Sequence, residues 1–250
     1  MMDELLSLRV VVVSKSNEDH DLFQEALATA AMPIEVQTAD GAAAASNGLC
    51  ADADLIYLDD SLDRADITRI VAAARAQQNP PFTVLLTGKE DAGPFHTDAL
   101  AGKPAQLDSA RRFVARSIRV RLPSRVLVVD DSPTMRSIVR KLLAQTRFPL
   151  DVSETGEGFA ALKLVRERAI DIVFLDYNMP DFSGLETLSE LKREKRRVNV
   201  VIMTSQMDQS LSDRAREEGA AFLKKPFYPA DIEAVLCSFY GLRALNPRRA

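Results

Sequence analysis

Residues 170–184 read IDIVFLDYNMPDFSG. An apolar run, Ile172 to Leu175, ends in Asp176 and is followed at once by a polar turn. Strands covered on both faces lose the alternation of polar and apolar residues, so the run reads as a buried parallel strand. Asp176 then stands at its carboxyl end, the rim where open α/β sheets bind ligands. Taken alone, the stretch also fits an aspartate that closes a strand and opens a turn. The surrounding sequence decides between the two.

Around it, strand and helix patterns alternate. RVLVVDD is a strand ending in two acids, and SPTMRSIVRKLLAQT is a helix with Ser132 placed to cap it and Pro133 at its first position. LDVSET, EGFAALKLVRER, DIVFLD, GLETLSELKREK, VNVVIMTS, QSLSDRAREEG, AAFLKKP and YPADIEAVLCSFYG continue the alternation. Five strand–helix units with short links predict a doubly wound parallel sheet.

The first half repeats the plan. RVVVVSK matches RVLVVDD, ADLIYLDDS matches IDIVFLDYN, FTVLLTG matches VNVVIMTS, and ALAGKP matches FLKKP. Ser14 to Asp59 spans 45 positions and Asp130 to Asp176 spans 46; Asp59 to Thr87 and Asp176 to Thr204 both span 28. Thr87 to Lys103 spans only 16 against 21 for Thr204 to Lys225, so the fourth helix of the first half is expected to be shortened. The fold class is therefore α/β, two tandem (βα)5 flavodoxin-like domains, 1–122 and 123–250, divided near Pro123.

Bulk properties set limits. Hydrophobic residues make up 46% and charged residues 27%, as in an ordinary globular protein, and the net charge is −4. Residues 1–122 hold 12 Lys+Arg against 18 Asp+Glu, and residues 123–250 hold 20 against 18. Neither half is basic enough to suggest direct nucleic-acid binding. No apolar run approaches the ~18 residues of a membrane span, and Cys50 and Cys237 have no metal-type spacing. The expectation is a cytoplasmic protein.

In such a sheet Asp130, Asp131, Asp176, Thr204 and Lys225 end four strands on one rim. Three crowded carboxylates repel one another unless a cation joins them, and oxygen ligands suit a hard ion such as Mg²⁺. One Asp176 oxygen would remain free to attack phosphorus, with Lys225 and Thr204 on the phosphoryl oxygens.

VVDDS, FLDYNMPDFSG, VIMTS and FLKKPF together resemble the receiver domain of two-component response regulators, across essentially all of 123–243. The resemblance implies that Asp176 accepts a phosphoryl group from a histidine kinase. It implies that Asp131 and Asp176, with the backbone carbonyl of Asn178, bind Mg²⁺ directly and Asp130 helps through water. Thr204 and Lys225 would contact the phosphoryl group, and the Phe222 ring would follow a Thr204 shift. The chain would phosphorylate and dephosphorylate itself rather than turn over a separate substrate. It would signal to a downstream protein target, self-association through the second receiver being one option.

The first half departs from that pattern. Ser14 and Lys15 replace the acid pair, and Leu100 stands where Phe222 stands in the second. Residues 1–122 are read as a degenerate receiver kept for binding, with Asp60 the one acid beside Asp59 and Lys15 a candidate fixed charge in the metal's place. A haloacid-dehalogenase-type phosphatase is disfavoured, because its acid/base Asp position holds Asn178. LRALNPRRA after the last helix is too short to fold as an output domain, so the expectation is a regulator without one, or the front of a longer regulator. GEGFAA (156–161) fits a dinucleotide fingerprint only formally, since it follows the second strand. KREKRR (192–197) reads as a solvated helix end, and His20 and His96 as surface residues.

Overall fold

A computed structural model describes residues 7–46, 48, 50, 52–89, 95–180, 184–193, 198–205, 213, 215 and 217–245. Two compact units divide the chain: Met1–Arg121 together with Cys237–Ala250, and Leu122–Leu236. No helix among the described residues is long and apolar enough to cross a membrane.

The first unit contains β1 (Leu8–Val13), α1 (Asn17–Ala28), β2 (Ile34–Ala39), α2 (Gly41–Ser46), β3 (Leu55–Asp59), α3 (Arg64–Arg75), β4 (Phe82–Leu86), β5 (Ala99–Ala101) and α4 (Leu107–Ser117), closed by a 3-10 turn. Its strands lie in the order β2-β1-β3-β4-β5, parallel throughout. The second unit contains β6 (Ser124–Val129), α5 (Pro133–Ala144), β7 (Leu150–Thr155), α6 (Gly158–Glu167), β8 (Ile172–Asp176), α7 (Gly184–Arg193), β9 (Asn199–Thr204) and β10 (Ala221–Lys224). Its order, β7-β6-β8-β9-β10, is the same. Helix α8 (Pro229–Phe239) carries the chain out of the second unit and into the first. The doubly wound class expected from the alternation is the class observed, twice.

The apolar runs explain the sheets. All five residues of β8 and all five of β3 are buried, as helices on both faces require. Each fully buried Val, Leu or Ile there contributes about 1.5–3 kcal/mol of transfer free energy. The helix starts also follow the sequence: Ser132 accepts from the Met135 N–H ahead of Pro133, and Ser16 accepts from Asp19 N–H. One device recurs in both units. Arg9 N–H donates to the Asp54 carboxylate and Arg125 N–H to that of Asp171, fixing how β3 and β8 enter beside β1 and β6.

Two places differ in kind. Among the described residues no helix stands between β4 and β5; residues 95–98 approach β5 as irregular chain, and 90–94 lie outside the described residues. In the second unit positions 213, 215 and 217 between β9 and β10 are helical, whereas most of QSLSDRAREEG lies outside them. The segment after α8 forms β11 (Arg243–Ala244) antiparallel to β5 and makes the first sheet six-stranded. Most of KREKRR also lies outside the described residues.

Candidate functional site

The carboxyl ends of β6, β8, β9 and β10 bring the second unit's polar residues to one rim. Val129, which precedes Asp130, pairs with Leu175, which precedes Asp176, and Lys224 pairs with Thr204. This register sets Asp130 beside Asp176 and sends Lys225 toward both. Lys225 Nζ donates to Asp130 Oδ2 at 2.8 Å and to Asp176 Oδ1 at 2.9 Å. Asp130 and Asp176 are buried, whereas Asp131 is exposed. One oxygen from each of the three carboxylates lies within 4.8 Å of the others, close enough to share a cation.

Electrostatics agree with that crowding. Burial is the largest influence on Asp176 and raises its pKa; Lys225 pulls it down, Asp130 pushes it up again, and the net direction is upward. Burial would lower the Lys225 pKa, but its contacts with Asp130 and Asp176 outweigh this and raise it. The ammonium therefore stays charged while one more carboxylate than it can serve faces the rim. A hard divalent cation fits such a donor set.

Three further residues shape the site. The Asp130 Oδ1 atom accepts from Ser132 N–H at 2.9 Å, which holds the acid loop against the start of α5. Arg136, one turn into α5, donates to the Asp130 carbonyl at 2.7 Å and pairs with Glu154 at 3.3 Å. Gly184, at the start of α7, lies against the strand end: a Cβ there would sit 2.6 Å from the Asp176 carbonyl oxygen and 2.8 Å from Tyr177 Cα. Sequence reasoning assigned no role to Arg136 or Gly184. The signal for Gly184 was the glycine eight residues after Asp176, though Gly at a helix start has commoner explanations.

The other expected residues fall as follows. Thr204 is fully buried at the end of β9. Phe222, on β10, is partly buried against the apolar cluster of Val173, Leu175, Val200 and Ile202. Asn178 is exposed two residues beyond Asp176. Asp181, Phe182 and Ser183 of the quoted stretch lie outside the described residues. The turn after β7 has an explanation of its own: a Cβ at Gly156 would come 3.2 Å from an Arg136 nitrogen, so its glycine makes room for a side chain.

The first unit builds a different cluster from the same topology. Asp59 is buried at the end of β3, and Lys103 Nζ lies 2.8 Å from Asp59 Oδ2 and 2.6 Å from Asp19 Oδ2. Ser14, buried at the end of β1, donates its hydroxyl to the same Asp19 oxygen at 2.5 Å. Thr87 donates to Asp60 Oδ2 at 2.7 Å. Lys15 does not occupy a metal's place beside Asp59: it turns outward to Asp63 at 3.2 Å. Lys103 supplies the positive charge instead, and the acid that shares it, Asp19, comes from the first turn of α1. Burial raises the Asp59 pKa, but the Lys103 contact and the Ser61 bonds outweigh it, leaving it below the ordinary value. Among the described residues, the one cluster of three acidic or metal-ligating groups is Asp130, Asp131 and Asp176. His96 is exposed, as expected, but His20 is only partly so, and its Nε2 is buried without a hydrogen-bond partner.

Comparison with known proteins follows this division. The response regulator receiver domain family matches residues 126–236. The two-component response regulator ORR11 of rice (Oryza sativa) is 35% identical over 114 residues, covering 44% of this chain and 76% of its own. The cyclic di-GMP phosphodiesterase response regulator RpfG of Xanthomonas campestris is 29% identical over 145 residues, covering 57% of this chain. The chain spans only 38% of the length of that relative and 62% of that of the transcriptional regulatory protein PdtaR of Mycobacterium tuberculosis. A solved structure described as a "probable two-component system response regulator/GGDEF domain protein" superposes over 91% of this chain and 95% of its own. The TM-score is 0.54 at 22% identity, a likeness of fold across both units.

Proposed function

Because the chain belongs to the response-regulator receiver family, we propose that it accepts a phosphoryl group on Asp176 from a histidine kinase and signals through protein contact. One observation carries this reading: Lys225 bridges Asp130 and Asp176 while Asp131 adds a third carboxylate within sharing distance. A free Asp176 oxygen forms its bond to phosphorus as the P–N bond of a phosphohistidine breaks. The imidazole nitrogen leaves with the electron pair and takes a proton from solvent.

Asp131, Asp176 and the Asn178 carbonyl would hold Mg²⁺, with Asp130 contributing through water. The ion would supply charge neutralisation on the phosphoryl oxygens. Lys225 holds a second positive charge against the same oxygens, and Thr204 offers its hydroxyl from the adjacent strand end. The Phe222 ring would follow a shift of Thr204. The first unit serves as a degenerate receiver that binds rather than accepts phosphate, since Lys103 already pairs with the buried Asp59 and the half-buried Asp19.

Incubation with acetyl phosphate and Mg²⁺, trapping of the adduct and mass-spectrometric mapping test the proposal. The label is expected at Asp176 alone, lost in Asp176→Asn and kept in Asp59→Asn. Stoichiometric label in Asp176→Asn would overturn it. A second reading, in which these residues are the receiver part of a longer regulator, is supported by the 38% of the phosphodiesterase relative's length that the chain covers. The complete reading frame tests that.

A further inference from the structure

The turns that join β1 to α1 and β6 to α5 close in the same way. Ser132 N–H donates to Asp130 Oδ1 at 2.9 Å, and Ser16 N–H donates to Ser14 Oγ at 3.1 Å. Ser132 and Ser16 each cap the helix that follows. The residue six positions after the strand end differs: it is Arg136 in the second unit and His20 in the first. The turn therefore forms with or without the arginine.

Arg136 makes bonds that the turn itself does not need. Its Nη1 donates to the Asp130 carbonyl at 2.7 Å and to the Asp131 carbonyl at 3.4 Å. Its Nε donates to Glu154 Oε2 at 3.3 Å, and the other Glu154 oxygen pairs with Arg140 at 3.4 Å, so the guanidinium is held from behind. Gly156 leaves room for it, since a Cβ there would lie 3.2 Å from Nη1. These bonds matter unequally to the two acids. The Asp130 carboxylate is already held by Ser132 and Lys225. Among the described residues no hydrogen bond or ion pair holds the exposed Asp131 carboxylate. Its direction is set by its backbone, and that is where Arg136 is fastened.

The first unit lacks all three parts together. His20 stands at the Arg136 position, and its Nε2 is buried without a hydrogen-bond partner. Thr38 stands where Glu154 does, because Val12 pairs with Thr38 as Val128 pairs with Glu154. Asp40 takes the place of Gly156 and accepts from Ala43 N–H at 2.7 Å. Turn, cap and strand register persist in both units. The guanidinium, its carboxylate and its glycine occur only where the strand ends in an acid pair.

We propose that Arg136 is a positioning residue for the divalent cation: by fixing the Asp130 and Asp131 carbonyls, it aims the Asp131 carboxylate at the ion shared with Asp176. The inference rests on the reading of this rim as a Mg²⁺ site. The sign of the effect separates positioning from charge. A cation that acted only through its charge would repel Mg²⁺, and its removal would tighten binding. A group that holds a ligand in place does the reverse, and partners behind metal ligands typically contribute about 10- to 100-fold in affinity.

Calorimetric titration of Mg²⁺ into the full-length, unphosphorylated chain tests this. Asp131→Asn should abolish binding. Arg136→Ala should weaken it on the order of tenfold. Arg136→Lys keeps the charge but replaces the fork by one nitrogen, and should restore only part of the affinity. Gly156→Ala presses a methyl on the guanidinium. It should weaken binding about threefold in the parent and have no further effect in Arg136→Ala, because both changes act through one group. Unchanged or tighter binding in Arg136→Ala, with binding lost in Asp131→Asn, would overturn the proposal alone. Additive losses in the Gly156 and Arg136 pair would also overturn it. Binding that is absent from the parent, or that survives Asp131→Asn, would overturn the assignment of Asp131 as a ligand and the proposal with it.

Discussion

Two clusters of acids stand at corresponding rims of this molecule, and each holds a lysine between two carboxylates. In the first unit Lys103 lies between Asp19 and Asp59; in the second, Lys225 lies between Asp130 and Asp176. The difference is one carboxylate and where it comes from. The second unit takes two acids from the end of β6, so that Asp131 adds a charge the lysine does not cancel. The first unit has Ser14 at that strand end and borrows Asp19 from the helix, where Met135 stands in the second. The Ser14 hydroxyl donates to Asp19 and closes the cluster. With one ammonium each, the first cluster holds two carboxylates and the second three, so the second is one negative charge richer and can take a cation. Serine in place of a strand-end acid, with an acid a turn away on the helix, leaves a two-carboxylate cluster where the second rim has three.

The largest effect that would separate the two rims is expected at Gly184. Its Cβ position is filled by the Asp176 carbonyl and the Tyr177 backbone, neither of which can rotate away. The structure places no glycine at the start of α3, which opens with Arg64. Gly184→Ala should cost about 2–4 kcal/mol in denaturant unfolding. It should also displace the end of β8 and slow labelling at Asp176. A variant with unchanged stability would mean that α7 can withdraw without disturbing Asp176.

Both sheets and the composition of the second rim were legible, because strand ends and parallel spacing follow directly from apolar runs. The first cluster was not. Asp19 sits in the first turn of α1, where an acid is ordinarily explained by the helix dipole. Only the fold reveals that this turn overlies Lys103. Lys15 misled for the related reason that neighbours on a strand end point in opposite directions: Ser14 faces inward and is buried, and Lys15 faces solvent. The pairing of Arg243 and Ala244 was equally hidden, since two residues carry no periodicity and their partner lies about 140 positions earlier.

Opposite signs are expected when each buried aspartate is neutralised. Asp59 titrates below its ordinary value, so its charge stabilises the fold above the unfolded pKa, a contribution lost as pH falls through the lowered value. The Asp176 pKa is held above its ordinary value, chiefly by burial, so stability is lost as pH rises through the raised value. At pH 7 without divalent ions, Asp59→Asn should lower the full chain's stability by about 1–2 kcal/mol, as removing a buried carboxylate from an exposed lysine partner does. Asp176→Asn should leave it unchanged or higher. The reverse order would break the comparison.

A divalent ion should act on the second rim alone. At ten times its dissociation constant Mg²⁺ is expected to stabilise the chain by about 1.4 kcal/mol. The response should vanish in Asp131→Asn, which removes the third carboxylate, and persist in Asp59→Asn. A Mg²⁺-dependent shift of the melting temperature that survives Asp131→Asn would show that two acids and Lys225 already suffice.

The smallest and most exacting effect concerns rebuilding the first rim. Restoring the acid pair by Ser14→Asp and Lys15→Asp looks sufficient from the sequence, yet the structure predicts that it fails. Ser14 Oγ lies 2.5 Å from Asp19 Oδ2, so a carboxylate at position 14 would face the Asp19 carboxylate in a largely buried place. Lys103 cannot neutralise four acids, and the double variant should be less stable than the parent without responding to Mg²⁺. Adding Asp19→Ser removes the intruding charge and leaves the two introduced carboxylates and Asp59 around Lys103, the charge count of the second rim. That triple variant should recover a Mg²⁺ response of a few tenths of a kcal/mol, small because Asp60 and Thr87 remain bonded to each other rather than turned to the site. To isolate it, the melting temperature is followed against Mg²⁺ in an Asp131→Asn background, where the second rim is silent. A response in the double variant equal to that of the triple would show that Asp19 does not close the first rim, and the contrast between a two-carboxylate and a three-carboxylate cluster would fail at its origin.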